Sequence, residues 1–222
     1  MPDQQHYTGR VVPGGPPAVR ELAHLVITKV SVGPHDNNAY LLRCRATGEQ
    51  LLVDAPTEAP RLLELIGGAG LATIVTTHQH RDHWQALREV AGATGAHTIA
   101  HPLDAPGLPL PPAELVEEGA EVRVGACPLE VIHLAGHTPG GIALLYRDPD
   151  GMPHLFSGDS LFPGGVGNTD DDPARFSSLM TDVETKVFAR LPDATWVYPG
   201  HGNDTTLGAE RPSLPEWWAR GW

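Results

Sequence analysis

Residues 77–83 read Thr-His-Gln-His-Arg-Asp-His, placing three histidines and an aspartate within six positions directly after the apolar run 71–77 (LATIVTT). Histidine and carboxylate are the usual ligands of zinc and of catalytic iron. Such a cluster at the exit of a buried strand forms a loop whose side chains can converge. His78 and His80 can point one way while Asp82 and His83 serve a neighbouring position.

Three further segments repeat the arrangement of a ligand-type residue after a β-run, flanked by glycine. Gly136-His137-Thr138-Pro139-Gly140-Gly141 follows LEVIHL, Gly158-Asp159-Ser160 follows HLFS, and Pro199-Gly200-His201-Gly202 follows WVY. Glycine permits a sharp turn and a close approach of the backbone. Singly each segment is as well explained by a turn; together, in this order, they are specific.

The hydrophobic pattern predicts strands at 22–32, 40–42, 51–53, 71–77, 97–100, 121–124, 129–134, 142–146, 154–156 and 196–198. It predicts helices at 58–66, closed by Gly67-Gly68, at 84–91 and over the long stretch 174–191. Residues 102–112 read as a Pro-rich loop and SLPEWWARGW as a terminal aromatic helix or coil. Many strand-to-strand links are too short for parallel crossovers, which favours a mixed β-sandwich flanked by helices over a doubly wound sheet. The expected organisation is a flexible arm over 1–20 and a single domain over 21–222, consistent with a chain of 222 residues.

A formal net charge of -12 disfavours a nucleic-acid partner. No run approaches a membrane span, and the first residues lack an apolar core of signal-peptide length. The expectation is a cytoplasmic protein acting on a small molecule, with no nucleic-acid or membrane partner; its oligomeric state stays open. Cys44 and Cys127, in unlike contexts, read as reduced thiols.

HxHxDH, GHTPG, GDS and PGHG, between positions 78 and 202, resemble the signature of the metallo-β-lactamase superfamily. The resemblance implies an α/β (α+β) fold, a four-layer αββα sandwich with mixed β-sheets. It also implies one metal on His78, His80 and His137, a second on Asp82, His83 and His201, and Asp159 bridging them. Two zinc ions per chain are expected, with iron or manganese possible on the same ligands.

Within the superfamily, Asp159 stands where the antibiotic-degrading lactamases carry cysteine. Phe162 stands where lactonases carry tyrosine. GDSLF with GHGNDTTLGAER is similar to the glyoxalase II (hydroxyacylglutathione hydrolase) branch, including Glu210 and Arg211. Asn168 replaces a basic residue that in glutathione-using members holds the acidic carrier, and Trp84 stands where a small residue is common.

The implied activity is a metallo-hydrolase cleaving a thioester or related ester with a metal-bridging hydroxide, Asp82 handling the proton of the attacking water. The alternative is a mononuclear iron persulfide dioxygenase; lactonase, nuclease and β-lactamase rank lower. His6, His24, His35, His97, His101, His133 and His154 are read as structural or surface residues. The run Asp170–Asp172 reads as a solvated loop and helix N-terminus, and Trp217, Trp218 and Trp222 as packing.

Overall fold

In the computed structural model, which describes residues 7–149 and 151–221, strands apolar on both faces are covered on both. One mixed sheet holds β1 (Ala18–Glu21), β2 (Leu25–Val32), β3 (Asn37–Cys44), β4 (Gln50–Val53), β5 (Thr73–Val75), β6 (His97–Ala100) and β7 (Glu114–Leu115), in sequence order. Pairing is antiparallel from β1 to β4 and parallel from β4 to β7. The change falls where α1 (Ala59–Ile66) and α2 (Leu87–Thr94) enter the chain, because a parallel neighbour requires a crossover.

The second sheet holds β8 (Glu121–Val124), β9 (Cys127–His133), β10 (Ile142–Arg147), β11 (Pro153–Gly158), β12 (Trp196–Pro199) and β13 (Thr205–Thr206). Its one parallel pair, β11 with β12, is spanned by α3 (Pro173–Asp182), which continues as a π-helical turn, Val183–Phe188. The chain closes with α4 (Leu207–Glu210) and α5 (Leu214–Arg220).

Side-chain alternation assigns the layers. Leu25, Ile27, Leu51 and Val53 of the first sheet pack between the sheets against Leu129, Val131, Leu144 and Phe156 of the second. The opposite face of the first sheet, with Val30, Leu41, Leu52 and Ile74, is covered by Leu62 and Ile66 of α1 and Leu87 and Val90 of α2. The outer face of the second sheet packs on Phe176, Leu179 and Met180 of α3 and on Trp217 of α5. The fold is thus an αββα sandwich with mixed sheets.

Some boundaries differ from the sequence reading. β1 lies inside the segment expected to be an arm, and the 20/21 boundary falls within that strand. The strands β7 and β13 are two residues each, too short to carry a periodicity. The long helical stretch divides into α3 and the π-helical turn, where Ala189 N–H donates to the Glu184 carbonyl at 2.8 Å. His6 and Trp222 lie outside the described residues. Among the described residues, no helix is long and apolar enough to cross a membrane.

Candidate metal centre

The loops leaving β5, β9, β11 and β12 converge at one edge of the sandwich and bring together every ligand candidate named from the sequence. His78 follows β5, His80 and Asp82 lie in the next turn, and His83 ends the 3-10 turn Arg81–His83. His137, Asp159 and His201 follow β9, β11 and β12. Donor atoms of His78, His80 and His137 lie within 4.8 Å of one another, as do those of His78, His83 and Asp159, and those of Asp82, His83 and His201.

Asp159 stands between the groups. Its Oδ2 is 3.5 Å from His137 Nε2 and 3.3 Å from His201 Nε2, and its Oδ1 is 3.4 Å from His83 Nε2. Asp82 Oδ2 lies 3.3 Å from His201 Nε2 and accepts from Asn37 Nδ2 at 3.0 Å.

The outward hydrogen bonds of the imidazoles fix what they present inward. The Thr77 hydroxyl donates to Asp54 Oδ2 at 2.8 Å, so toward His78 Nδ1, 3.0 Å away, it can only accept. His78 Nδ1 therefore carries the proton and Nε2 a lone pair. His137 Nδ1 donates to the Asn168 carbonyl at 2.7 Å and His201 Nδ1 to the His35 carbonyl at 2.8 Å. His83 Nδ1 donates to Asp54 Oδ2 at 2.8 Å. Each Nε2 thus faces the cluster, where His83 and His201 bring theirs to 3.1 Å and His80 Nδ1 lies 2.9 Å from His137 Nε2.

Facing lone pairs and carboxylates in a buried place require positive charge between them. His78 Nε2 and Asp159 Oδ1 are buried with no hydrogen-bond partner. This donor set, imidazole nitrogens and carboxylate oxygens, fits divalent cations. Without a cation, protons must serve: burial would lower the pKa of His201, yet its hydrogen bonds to Asp159 and Asp82 push it up to about 10. Burial also opposes protonation of His83, but Asp159 and Asp54 raise it well above the usual histidine range.

Glycines make the approach possible. A Cβ at Gly200 would overlap Asp159 Oδ1, and one at Gly167 would overlap the Asp159 carbonyl.

Several supporting residues escaped the sequence reading. Buried Asp54 accepts from Thr77 N–H, the Thr77 hydroxyl and His83, tying the end of β4 to the cluster loop. Its signal was a carboxylate closing the apolar strand QLLV. Buried Asp104 accepts from Gln79 N–H at 2.9 Å, the Thr138 hydroxyl at 2.6 Å and Gly140 N–H at 2.7 Å, joining the His80 and His137 loops. Lys29, fully buried on the inner face of β2, donates to the Gly202 carbonyl at 2.7 Å and to Asp204 at 2.6 Å. With Asn38 and Tyr40, which donate to the Pro199 carbonyl, it holds the turn that carries His201.

Residues set aside in the sequence take structural places. The His133 ring stacks on His101 at 4.1 Å, and its Nε2 donates to the Pro139 carbonyl at 2.8 Å. Asp172 caps α3 and Asp170 pairs with Arg175. Glu210 accepts from Gly164 N–H, and Arg211 pairs with Asp193, so the AER ending braces the loop after Asp159. Cys44 and Cys127 are free and buried, with Sγ atoms 4.0 Å apart.

Comparisons with known proteins agree with this arrangement. Residues 32–201 match the metallo-beta-lactamase superfamily. A hydroxyacylglutathione hydrolase of Fuscovulum blasticum is 39% identical over 168 residues, covering 75% of this chain and 62% of that protein. The chain therefore spans less than two thirds of that relative's length. Among solved structures, TTHA1623 in a di-iron-bound form is 36% identical with a TM-score of 0.68, covering 85% of this chain and 98% of that one. ETHE1 from Myxococcus xanthus is 27% identical with a TM-score of 0.76, covering 87% and 84%. Sequence match, sandwich and converging strand ends agree: the chain belongs to the metallo-β-lactamase superfamily, with hydroxyacylglutathione hydrolases among its relatives.

Proposed function

We propose that the chain is a dinuclear metallo-hydrolase, acting with zinc on a thioester or related ester of a small molecule. In this reading His78, His80 and His137 hold one cation, Asp82, His83 and His201 the other, and Asp159 is shared. The observation that carries it is the position of the Asp159 carboxylate, with one oxygen facing His137 and His201 and the other facing His83. A shared anion offsets the repulsion of two adjacent cations. Divalent cations bound there supply acidification of water and polarisation of a carbonyl.

The chain's own residues supply the rest. Asp82, steadied by Asn37, is ionised at neutral pH, since the hydrogen bond from His201 holds its pKa below the usual carboxylate range. We assign it to hold the proton of the attacking water. His83 and His201 keep their orientation through Asp54 and the His35 carbonyl, so that their Nε2 atoms stay aimed inward. The similarity to hydroxyacylglutathione hydrolases supports a thioester as the substrate class.

A second reading concerns the metal. The 36% identity to TTHA1623 in a di-iron-bound form supports two iron ions in place of zinc on these ligands, and a mononuclear iron persulfide dioxygenase is a separate alternative activity. Elemental analysis of protein purified without added metal or chelator separates them. About two zinc per chain, with hydrolysis of acyl thioesters followed by thiol release, is the expected result. About one iron with little zinc, and oxygen uptake on a persulfide, would replace the hydrolase reading. Failure to retain any metal after reconstitution would overturn the ligand assignment.

A further inference from the structure

The cluster opens into a cavity of about 440 Å³ lined by His35, Arg81, Asp82, Gln85 and His201. Asp82 and His201 belong to the cluster, whereas His35, Arg81 and Gln85 are exposed and have no part in holding it through their side chains. Arg81 is the one permanent cation of this wall. Its backbone lies between His80 and Asp82, at the start of the 3-10 turn.

Arg81 is among the few arginines with no carboxylate at hand, together with Arg10, Arg43 and Arg88, and of these it is the one that lines the cavity. The chain carries a formal net charge of -12, and most of its cations are matched to carboxylates, as in Arg45 with Glu21, Arg147 with Glu130 and Arg190 with Glu130. The Arg81 guanidinium has no carboxylate or other hydrogen-bond partner among the described residues, although acidic groups outnumber basic ones. A guanidinium left unpaired beside a reaction centre offers fork-shaped donors to a carboxylate or phosphate.

The loop over 168–172, beside His137 and not part of the cavity lining, offers no such group. Asn168 turns its carbonyl to His137 and its side-chain amide to Asp170, and Asp170 already occupies Arg175 at 2.6 Å. Asp171 and Asp172 add negative charge to that loop. The cavity wall thus holds a cation at Arg81, while the loop over 170–172 is acidic. An anionic group brought to a chain of this net charge meets long-range repulsion, and a local cation is what makes a productive orientation favourable.

We propose that Arg81 is the specificity-determining residue of the cavity: it takes an anionic group, carboxylate or phosphate, on the substrate's leaving-thiol side, with His35 and Gln85 as neighbouring polar contacts. The proposal rests on the thioester-hydrolase reading for its substrate class. It places the acidic end of the carrier at Arg81 rather than at position 168, so the absence of a basic residue at 168 does not exclude an acidic carrier.

The test compares one acyl group on two carriers in the metal-loaded protein: glutathione, which bears carboxylates, and neutral N-acetylcysteamine. Arg81→Gln should raise KM for the glutathione thioester roughly five- to tenfold with kcat nearly unchanged, the effect shrinking at high salt. KM for the neutral thioester should stay the same. Arg88→Gln, which removes an exposed arginine of α2 outside the cavity, should alter neither. Calorimetry with S-methylglutathione gives a readout independent of turnover: wild type binds, and R81Q binds roughly five- to tenfold more weakly. A parallel titration with inorganic phosphate tells a phosphate preference from a carboxylate one.

Equal KM changes for both thioesters, or equal S-methylglutathione and phosphate affinities in wild type and R81Q, would overturn the role of Arg81. Absence of any thioester hydrolysis with an Arg81-dependent affinity for either anion would instead sink the hydrolase reading and leave the anion site standing.

Discussion

At the scale of single residues, the centre depends on groups that are not themselves ligand candidates. Asp54 is the clearest. One of its oxygens accepts from Thr77 N–H, while the other receives both the Thr77 hydroxyl and His83 Nδ1, so it sets the tautomer of His83 directly and that of His78 through Thr77. Asp54→Asn brings an amide N–H₂ against groups that are themselves donors. We expect this substitution to weaken metal affinity by about 10- to 100-fold while the sandwich stays folded, the usual size of an outer-shell effect. Competition with a chromophoric chelator measures it; an affinity equal to wild type would show that Asp54 is structural only. The ligand candidates, which the fold brings together, could be picked out in the sequence because histidine and aspartate are rare in such density. Asp54 and Asp104 were not, since a lone carboxylate after a strand has the same sequence signature whether it caps a turn or holds a ligand.

At the scale of elements, the centre is made by strand ends and the turns that follow them. The turn after β12 must bring His201 past Asp159 and His83, and Gly200 leaves no room for a side chain there. Gly68, after α1, has nothing within 4 Å of where a Cβ would stand. Gly200→Ala should therefore halve the metal content or reduce it further, with the far-ultraviolet circular dichroism kept, whereas Gly68→Ala should leave both unchanged. Full metal loading in G200A would refute the close approach assigned to this turn. A strand such as β8 could be read from its alternation. β7 and β13 could not, because two residues pair only when a neighbouring strand is already in place.

The whole molecule adds a dependence on pH that no single element shows. His154, buried on β11, meets the Tyr198 hydroxyl at 2.9 Å across the β11–β12 pair. Burial, aided by the Arg20 guanidinium, lowers its pKa from 6.5 to about 3. The unfolded chain therefore takes up a proton as pH falls below about 6.5, while the folded chain does not until about 3. The stability contributed by neutral His154 is full above pH 6.5 and is lost progressively as pH falls toward 3. His154→Gln, which cannot be protonated, should flatten the decline in unfolding free energy between pH 7 and 4.5 relative to wild type. Urea titrations across that range check it, and parallel slopes for the two proteins would remove His154 as the source.

Taken alone, the sequence determined the local terms: which residues can ligate, which runs alternate as strands, and where glycine frees the backbone. Those are properties of neighbours along the chain, and the resemblance between motifs added the sandwich and an expected pairing of the ligand candidates. Only the tertiary structure decided what is set by distant contacts. It placed Lys29 of β2 against Asp204, 175 residues away, and Asp54 beneath His83. It also left Arg81 unpaired at the mouth while most other cations found carboxylates. Burial and pairing arise when separate segments exclude water from one another, and a linear pattern does not record which segments will meet.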